Sequence, residues 1–352
     1  MLAWLRNLTR RSSKLALSAP RLLRGRYDAA VTNPDNRQHW ANADGLSANA
    51  ANSPDVRRTL RNRARYEVAN NSYAKGIVLT LANDVVGTGP RLQLLTDDAD
   101  ANRRIEREFA LWSQSIRLAE KLRTLRMACA ADGEAFAILV NNEELPGAIK
   151  LDLRLVEADQ VTTPDLSFLS RNPAIDGIVF DRAGNPVEFH VLRNHPGELR
   201  GANRLDYERI PAESVVHLFR CDRPDQRRGV PEITPALPLF AMLRDYSLAT
   251  LDAAKAAAYF SGILYTDAPP SGEADAVEPL DPIELDRNML LTMPGGWKMS
   301  QLHAEHPSGT YADFKREILN EIARCLNMPF NVAAANSSGY NYASGRLDHQ
   351  TQ

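Results

Sequence analysis

Cysteine is nearly absent from this 352-residue chain, and the three present, Cys129, Cys221 and Cys325, stand far apart with no CxxC spacing. That argues against a disulfide framework and a cysteine-ligated zinc site, suggests a reducing compartment, and leaves the thiols as small buried hydrophobes. Long apolar runs are missing too. The richest window, residues 235–261, is broken by Arg244, Asp245, Asp252 and Lys255, so neither a transmembrane helix nor a membrane partner is expected. Overall charge is almost balanced, 42 Lys+Arg against 44 Asp+Glu. Hydrophobic content of 44% and charged content of 24% are those of an ordinary soluble protein with room for two or three domains.

Signatures of catalysis are also lacking. No HExxH or GxSxG occurs, and Val86-Gly87-Thr88-Gly89-Pro90 lacks the GK[ST] ending of a phosphate-binding loop, which leaves a turn. His303 and His306 lie in a Pro- and Gly-flanked loop, and His217 with Cys221 fixes no nucleophile–base geometry. Asp97, Asp98 and Asp100 favour the positive end of the following helix over a cation site, and Asp281, Glu284 and Asp286 form a solvated acidic face. The expectation is no catalytic residue, no metal, no cofactor and no enzyme.

What is present is architecture. Residues 1–91 carry 15 Lys+Arg against 6 Asp+Glu, and Met1 to Tyr27 contains no acid, so 1–52 reads as a basic arm and extended strap. Ser53-Pro54-Asp55 opens a helix to about Asn70, and Asn71-Ser72 caps a second from Tyr73 to Asp84. A short strand is expected over Arg91–Leu95, then helices over Asp97–Gln114 and Leu118–Ala131, closed by Asp132-Gly133. Strands follow over Glu134–Val140 and Ile149–Leu155, a hairpin turns at Arg182–Pro186, and a β-like run covers Ser214–Phe219. This mixture of helices and antiparallel strands over 53–231 is α+β.

Arg223-Pro224-Asp225-Gln226-Arg227-Arg228-Gly229-Val230-Pro231 then leads into an alanine-rich helix over 235–261, with Thr234 as N-cap and Gly262 as C-terminal glycine. Its 27 residues make a rod of about 40 Å. Ala249, Ala253, Ala254, Ala256, Ala257 and Ala258 narrow its second half, as close helix packing around a ring axis requires; an ordinary buried helix is the alternative. Residues 263–308 form an acidic, Pro- and Gly-rich module with one strand-like piece, Met289–Met293. Residues 309–352 hold a helix over Tyr311–Asn327, stopped by Pro329, and a polar tail.

Several blocks are specific by order and spacing: Arg61–Arg65 with Asn70–Ala74, Asp84–Gly89, Val156–Asp159, Ile175–Ile178, Arg223–Pro231 and Asn341-Tyr342-Ala343-Ser344-Gly345-Arg346. Together they resemble the lambda-type portal proteins of tailed bacteriophages. The resemblance implies a ring, usually of twelve subunits, at one vertex of the head, in the virion and, during assembly, in the host cytoplasm. Double-stranded DNA would pass through it, and terminase, head–tail connector and capsid or scaffold proteins would be its partners. It further implies an outer wing over 53–231, a stem helix over 232–262, a clip over 263–308, and a return stem helix with the start of a tunnel region over 309–352. Family members continue well past Arg346, so the chain is expected to be C-terminally truncated.

A conduit must not grip DNA, because each phosphate contact strengthens binding steeply. Arg244, Lys255, Lys315, Arg316 and Arg324 are the expected channel contacts, with intersubunit or i,i+3/i+4 pairing as their alternative. Arg223, Gln226, Arg228, Gly229 and Pro231, with Asn341, Tyr342, Ser344 and Arg346, are expected to be structural. The competing readings are a metal-dependent DNA-processing enzyme, which needs converging carboxylates, and a generic DNA-binding adaptor.

Overall fold

A computed structural model describes residues 32–34, 36–163, 174–198, 206–259, 263–266, 297–300 and 311–351. The chain divides into two units, Met1–Ser47 and Ala48–Gln352. In the first, Asn33 and Asn36 exchange backbone N–H to side-chain Oδ1 bonds of 2.8 Å that hold a turn. The basic residues from Arg6 to Arg26 lie outside the described residues.

The second unit opens with the short helix α1 (Ala48–Ala51), then α2 (Pro54–Asn70), α3 (Ser72–Val86), α4 (Ala99–Ser115) and α5 (Leu118–Asp132). Their starts follow the expected chemistry. Ser53 Oγ accepts from Val56 N, Asn71 Oδ1 accepts from Tyr73 N and Ala74 N, and Asp98 Oδ1 accepts from Asp100 N and Ala101 N. The strands are β1 (Glu134–Asn141), β2 (Leu151–Val156), β3 (Ile178–Phe180), β4 (Pro186–Leu192), β5 (Tyr207–Pro211) and β6 (Val215–Phe219). They form two antiparallel sheets, ordered β2-β1-β6 and β3-β4-β5. Phe136 on β1 and Phe189 on β4 meet edge to face at 6.1 Å, and with Ile138, Ile178, Val191 and Ile210 they make one core.

A 3-10 turn over Thr234–Ala236 leads into α6 (Leu237–Tyr259), followed by β7 (Ile263–Thr266) paired antiparallel with β8 (Trp297–Ser300). The chain returns through α7 (Tyr311–Cys325), α8 (Phe330–Ala333) and α9 (Tyr342–Thr351). A second core joins Ala64, Ile77, Val78, Ile233, Phe240, Leu319, Ile322 and Val332, so α6 and α7 rest on α2 and α3. Tyr246 stacks on Tyr311 at 5.8 Å and meets Phe314 at 4.8 Å, clasping α6 to α7. Among the described residues no helix is long and apolar enough to cross a membrane.

Several local expectations are corrected. Arg91–Leu95 forms no strand: it runs unpaired by any neighbouring strand, with Leu94 N donating to Glu106 Oε1 and Leu95 largely exposed. Thr234 caps nothing. Its hydroxyl donates to the Pro231 carbonyl at 2.6 Å, and the α-helix begins three residues later, after a 3-10 turn. The tail forms α8 and α9 where only a polar segment was expected. Cys129 is buried and Cys325 half-buried, but Cys221 is exposed, its thiol against the Arg223 carbonyl at 3.1 Å. Gly262, Met289–Met293, the acidic group at 281–286, His303 and His306 lie outside the described residues.

Gly133 ends α5 with φ +89°, and a Cβ there would sit 2.4 Å from the Val230 carbonyl carbon. A Cβ on Gly229 would lie 1.9 Å from the Gly133 oxygen. The two glycines thus let the chain entering β1 and the chain entering α6 touch backbone to backbone. Gly133→Ala is expected to lower stability by roughly 2–4 kcal/mol. Gly76→Ala, in the exposed middle of α3 with open space at its Cβ, should raise it by about 0.5–1 kcal/mol. Urea unfolding midpoints of the two variants test this, and equal effects would refute the close-approach account.

Candidate functional site

The blocks singled out in the sequence converge on one carboxylate. Glu134, the first residue of β1, has no exposed surface. Its Oε2 accepts from Arg228 Nε at 2.8 Å, Gly229 N at 3.1 Å and His217 Nε2 at 3.0 Å. Its Oε1 accepts from an Arg228 terminal nitrogen at 2.7 Å and from Arg61 at 3.1 Å. Arg228, 3% exposed, uses every N–H it has, reaching also the carbonyls of Ala158 (3.2 Å), Val161 (3.1 Å) and Asp176. Its guanidinium lies 5.4 Å from the centre of the Phe136 ring.

α2 supplies the rest of the cationic side. Arg57 donates to Asn52 O and pairs with Asp176 at 3.2 Å. Arg61 pairs with Asp159 at 2.5 Å, and Arg65 grips Asp132 at 2.6 Å and Asp159 at 2.9 Å. Four arginines (57, 61, 65, 228) therefore face five carboxylates (132, 134, 157, 159, 176), so every guanidinium of the hub is matched. It fastens α2, the α5–β1 corner, β2's exit and the β3 approach to the segment that enters α6.

Burial alone would push the Glu134 carboxyl up, but Arg228 and His217 outweigh it and hold it well below the ordinary 4.5. Burial pushes His217 below 6.5 despite the hydrogen bond it donates to the Glu134 carboxylate, which opposes the shift. Its ring is stacked between Phe136 at 4.3 Å and Phe219 at 4.5 Å.

The remaining motif residues have local duties. Gln226 Oε1 accepts from Asp222 N (3.0 Å) and Arg223 N (3.2 Å), while its Nε2 donates to Arg228 O (2.9 Å), so it shapes the loop that presents Arg228. Pro231 is fully buried beside Gly133. Asn49 mimics a strand neighbour to this loop, its Nδ2 donating to Asp225 O at 2.8 Å and its Oδ1 accepting from Arg227 N at 3.0 Å. Asn52 Nδ2 donates to Arg228 O at 3.0 Å. Asn341 and Ser344 cap α9 reciprocally, whereas Tyr342 and Arg346 point to solvent.

The five expected channel residues are dispersed, and each has a partner. Arg244 lies 3.4 Å from Glu67 and over the Tyr66 ring at 5.2 Å. Lys255 sits 3.3 Å from Asp252, Lys315 between the rings of Tyr73 (5.1 Å) and Tyr311 (5.8 Å), Arg316 3.0 Å from Asp313, and Arg324 donates to Asn327 at 2.9 Å.

Among the described residues, Glu157, Asp159 and His195 bring three ligand atoms within 4.8 Å of one another, the spacing of a metal site. The local chemistry argues against it. His195 Nδ1 accepts from Gly197 N at 3.0 Å, which leaves the proton on Nε2, 3.3 Å from Glu157. Both carboxylates are already held by Arg65. The Val86–Pro90 loop is a turn: Gly87, at φ +53°, caps α3, and Gly89 packs on Ala119.

Sequence reasoning missed Glu134, Arg57, Asn49 and Asn52, and assigned no role to Arg61, Asp159 or Asp176. The available signals were a lone acid heading the apolar run Glu134–Val140, and Arg57, Arg61, Ala64 at one-face spacing on α2.

A hub of matched arginines at the entry to a long helix holds the surrounding elements at fixed angles. The comparisons give the class. The description "Phage portal protein, lambda family" matches residues 34–352, and the chain belongs to that family. The probable portal protein of Halomonas phage phiHAP-1 is 27% identical over 318 residues, 83% of this chain; the chain spans only 61% of that relative's length. Among solved structures, a chain of the virion of a native gene transfer agent particle aligns with TM-score 0.50 and 17% identity, over 83% of this chain and 74% of its own. A chain from the neck of the native particle, computed with C12 symmetry, gives 0.51 and 17%, over 84% and 75%. These likenesses establish the shared α+β fold.

Removing Arg228 strands a buried charge, and Arg228→Ala is expected to destabilise by about 3–5 kcal/mol at pH 7. For Glu134 and His217 the pH dependence has one sign, whereas burial raises the Asp132 carboxyl and gives it the opposite one at more acidic pH. Both Glu134 and His217 bind fewer protons folded than unfolded, so stability falls as pH drops below 6.5 and falls again below 4.5. Denaturant titrations of wild type and His217→Gln between pH 7 and 4 test this. Only the variant should lack the first decline, and identical curves would refute the assignment.

Proposed function

We propose that this chain is a subunit of a portal ring, a non-catalytic conduit at one vertex of a phage head through which double-stranded DNA is packaged and later ejected. Membership of the lambda portal family over residues 34–352 carries the reading. The geometry agrees with it: the hub anchors the base of α6, and α7 returns along α6 to the same core. On this reading 53–231 is the wing, 232–262 and the Tyr311–Cys325 helix are the stem, and 263–308 is the clip, of which the β7–β8 pair is the described part. Terminase and the head–tail connector dock in turn at the clip end, capsid proteins surround the wing, and the ring resides in the virion after assembly in the host cytoplasm. Twelve copies is the family's usual number.

Within that ring, Arg244, Lys255, Lys315, Arg316 and Arg324 are proposed to face or approach the lumen with their charge already matched, which keeps the wall from gripping phosphate. Lys255 is the most informative of them, because its pair with Asp252 is exposed and worth little. Lys255→Glu is expected to leave ring formation intact and lower packaged DNA per particle; unaltered packaging by an assembled mutant ring would remove Lys255 from the wall.

Electron microscopy of the purified chain tests the reading as a whole. Rings with a central hole wide enough for a duplex are expected. Monomers alone, together with plasmid nicking in Mg²⁺ or Mn²⁺, would favour the DNA-processing alternative. Salt-sensitive DNA binding by a small oligomer would favour the adaptor.

A further inference from the structure

We propose that α1 is a releasable clamp on the loop that presents Arg228, able to let go of that loop while both cores stay folded. The inference stands apart from the portal-ring reading, because it concerns contacts within one chain and its test needs no ring.

The loop that follows β6 has little of its own to hold it. Residues 220–230 adopt neither helix nor strand, Cys221 to Asp225 are all exposed, and nothing before Arg228 is buried. Gln226 N donates to Arg223 O at 3.2 Å, which closes one turn, and Arg227 rests on the Phe180 ring at 4.5 Å. Asp225, at φ +59°, lies in the left-handed region that a non-glycine residue enters at a cost. A loop with so little burial and one strained residue keeps its shape only while its surroundings impose it.

α1 and the residue after it do the imposing. Asn49 brackets the strained residue, with Nδ2 donating to Asp225 O at 2.8 Å and Oδ1 accepting from Arg227 N at 3.0 Å. Asn52 Nδ2 reaches Arg228 O at 3.0 Å and Gly229 O at 3.4 Å. The grip is nevertheless of a kind that opens. Of the four residues of α1 only Ala48 is buried, so release exposes little apolar surface. Asn49 is half-buried, and near the surface water replaces a lost hydrogen-bond partner at small net cost. Asn52 Oδ1 is buried and meets no donor among the described residues, so the closed state carries an acceptor that opening would hydrate.

Opening need not dismantle the hub. With α1 away, Arg228 O still accepts from Gln226 Nε2 at 2.9 Å, and the guanidinium still grips Glu134. What changes is how firmly the backbone around Arg228 is held, a few residues before Pro231 and the entry to α6. Residue 47 is bonded directly to α1, so a pull from the preceding chain arrives first at the clamp and next at the segment that directs α6. The strap is thus a mechanical input to the hub, set by two asparagines.

The test is hydrogen–deuterium exchange of the whole chain, read by mass spectrometry of peptides covering 46–53, 221–231 and β1. In the wild type the strap and the loop should exchange through one shared opening, under conditions where β1 stays protected. Asn49→Ala removes two hydrogen bonds and should speed exchange in both segments about tenfold, leaving β1 unchanged. Glycine adopts positive φ without strain, so Asp225→Gly should slow exchange of the loop about threefold. Combined with Asn49→Ala, it should recover much of what that variant loses. Faster exchange of 46–53 alone in Asn49→Ala would overturn the inference, since the strap would then merely fray. So would a loop that exchanges only at the rate of β1, or a double variant no better protected than Asn49→Ala.

Discussion

A carboxylate with no exposed surface keeps its charge only if cations and donors replace all the water it lost, and Glu134 is held to that condition by Arg228, Arg61, Gly229 and His217. The requirement propagates. Arg228 can reach Glu134 only if the Gly229 backbone lies against Gly133, which forbids a side chain at either position. It can be buried there only if the carbonyls of Ala158, Val161 and Asp176 turn inward to take its remaining protons. Those carbonyls belong to the β2 exit and the β3 approach, so one ion pair fixes the corner at which two sheets and a helical layer meet.

Such a hub is a weak source of net stability, since well-packed apolar side chains of the same volume would often do as well. What it supplies is direction. An apolar contact between α2 and β1 tolerates sliding, whereas a bidentate guanidinium accepts one angle and one register. In the proposed ring, a small angular error at the base of a long helix would be multiplied along its length and again at every copy. The hub stands at that base: Pro231 and Ile233 leave it directly, and Phe240 and Leu243 of α6 bury into the core one to two turns later. Orientation, more than affinity between elements, is what this arrangement is suited to provide.

Much of the fold was legible because its signals are local. Ser53-Pro54, Asn71 and Asp98 announce helix starts, Gly133 announces a stop, and the hairpin at Arg182–Pro186 is written in turn residues. The failures have a common cause. Arg91–Leu95 alternates like a strand but finds no neighbouring strand, which only the tertiary arrangement decides. α9 is announced by nothing apolar, and its cap was readable only as one element of a family block. The hub itself is spread from Asn52 to Gly229, and no spacing rule links residues so far apart. The block Arg223–Pro231 was recognisable as a unit, yet its meaning lay in Glu134, ninety-odd residues earlier.

Under the proposed portal reading, the same bookkeeping of charge bears on how the basic residues of α6 and α7 would behave along a DNA path. Arg244 and Lys315 are held over aromatic rings, and Arg316 and Arg324 have polar neighbours on their own helix or its end. A cation already matched by a carboxylate or a ring releases fewer counterions on meeting phosphate than a bare one, so its contribution to binding is blunted. Removing the positive charges altogether would leave a wall that repels DNA, and leaving them bare would leave one that holds it. Matched cations lie between these limits, and a conduit through which a long polyanion must move in both directions works under both constraints at once.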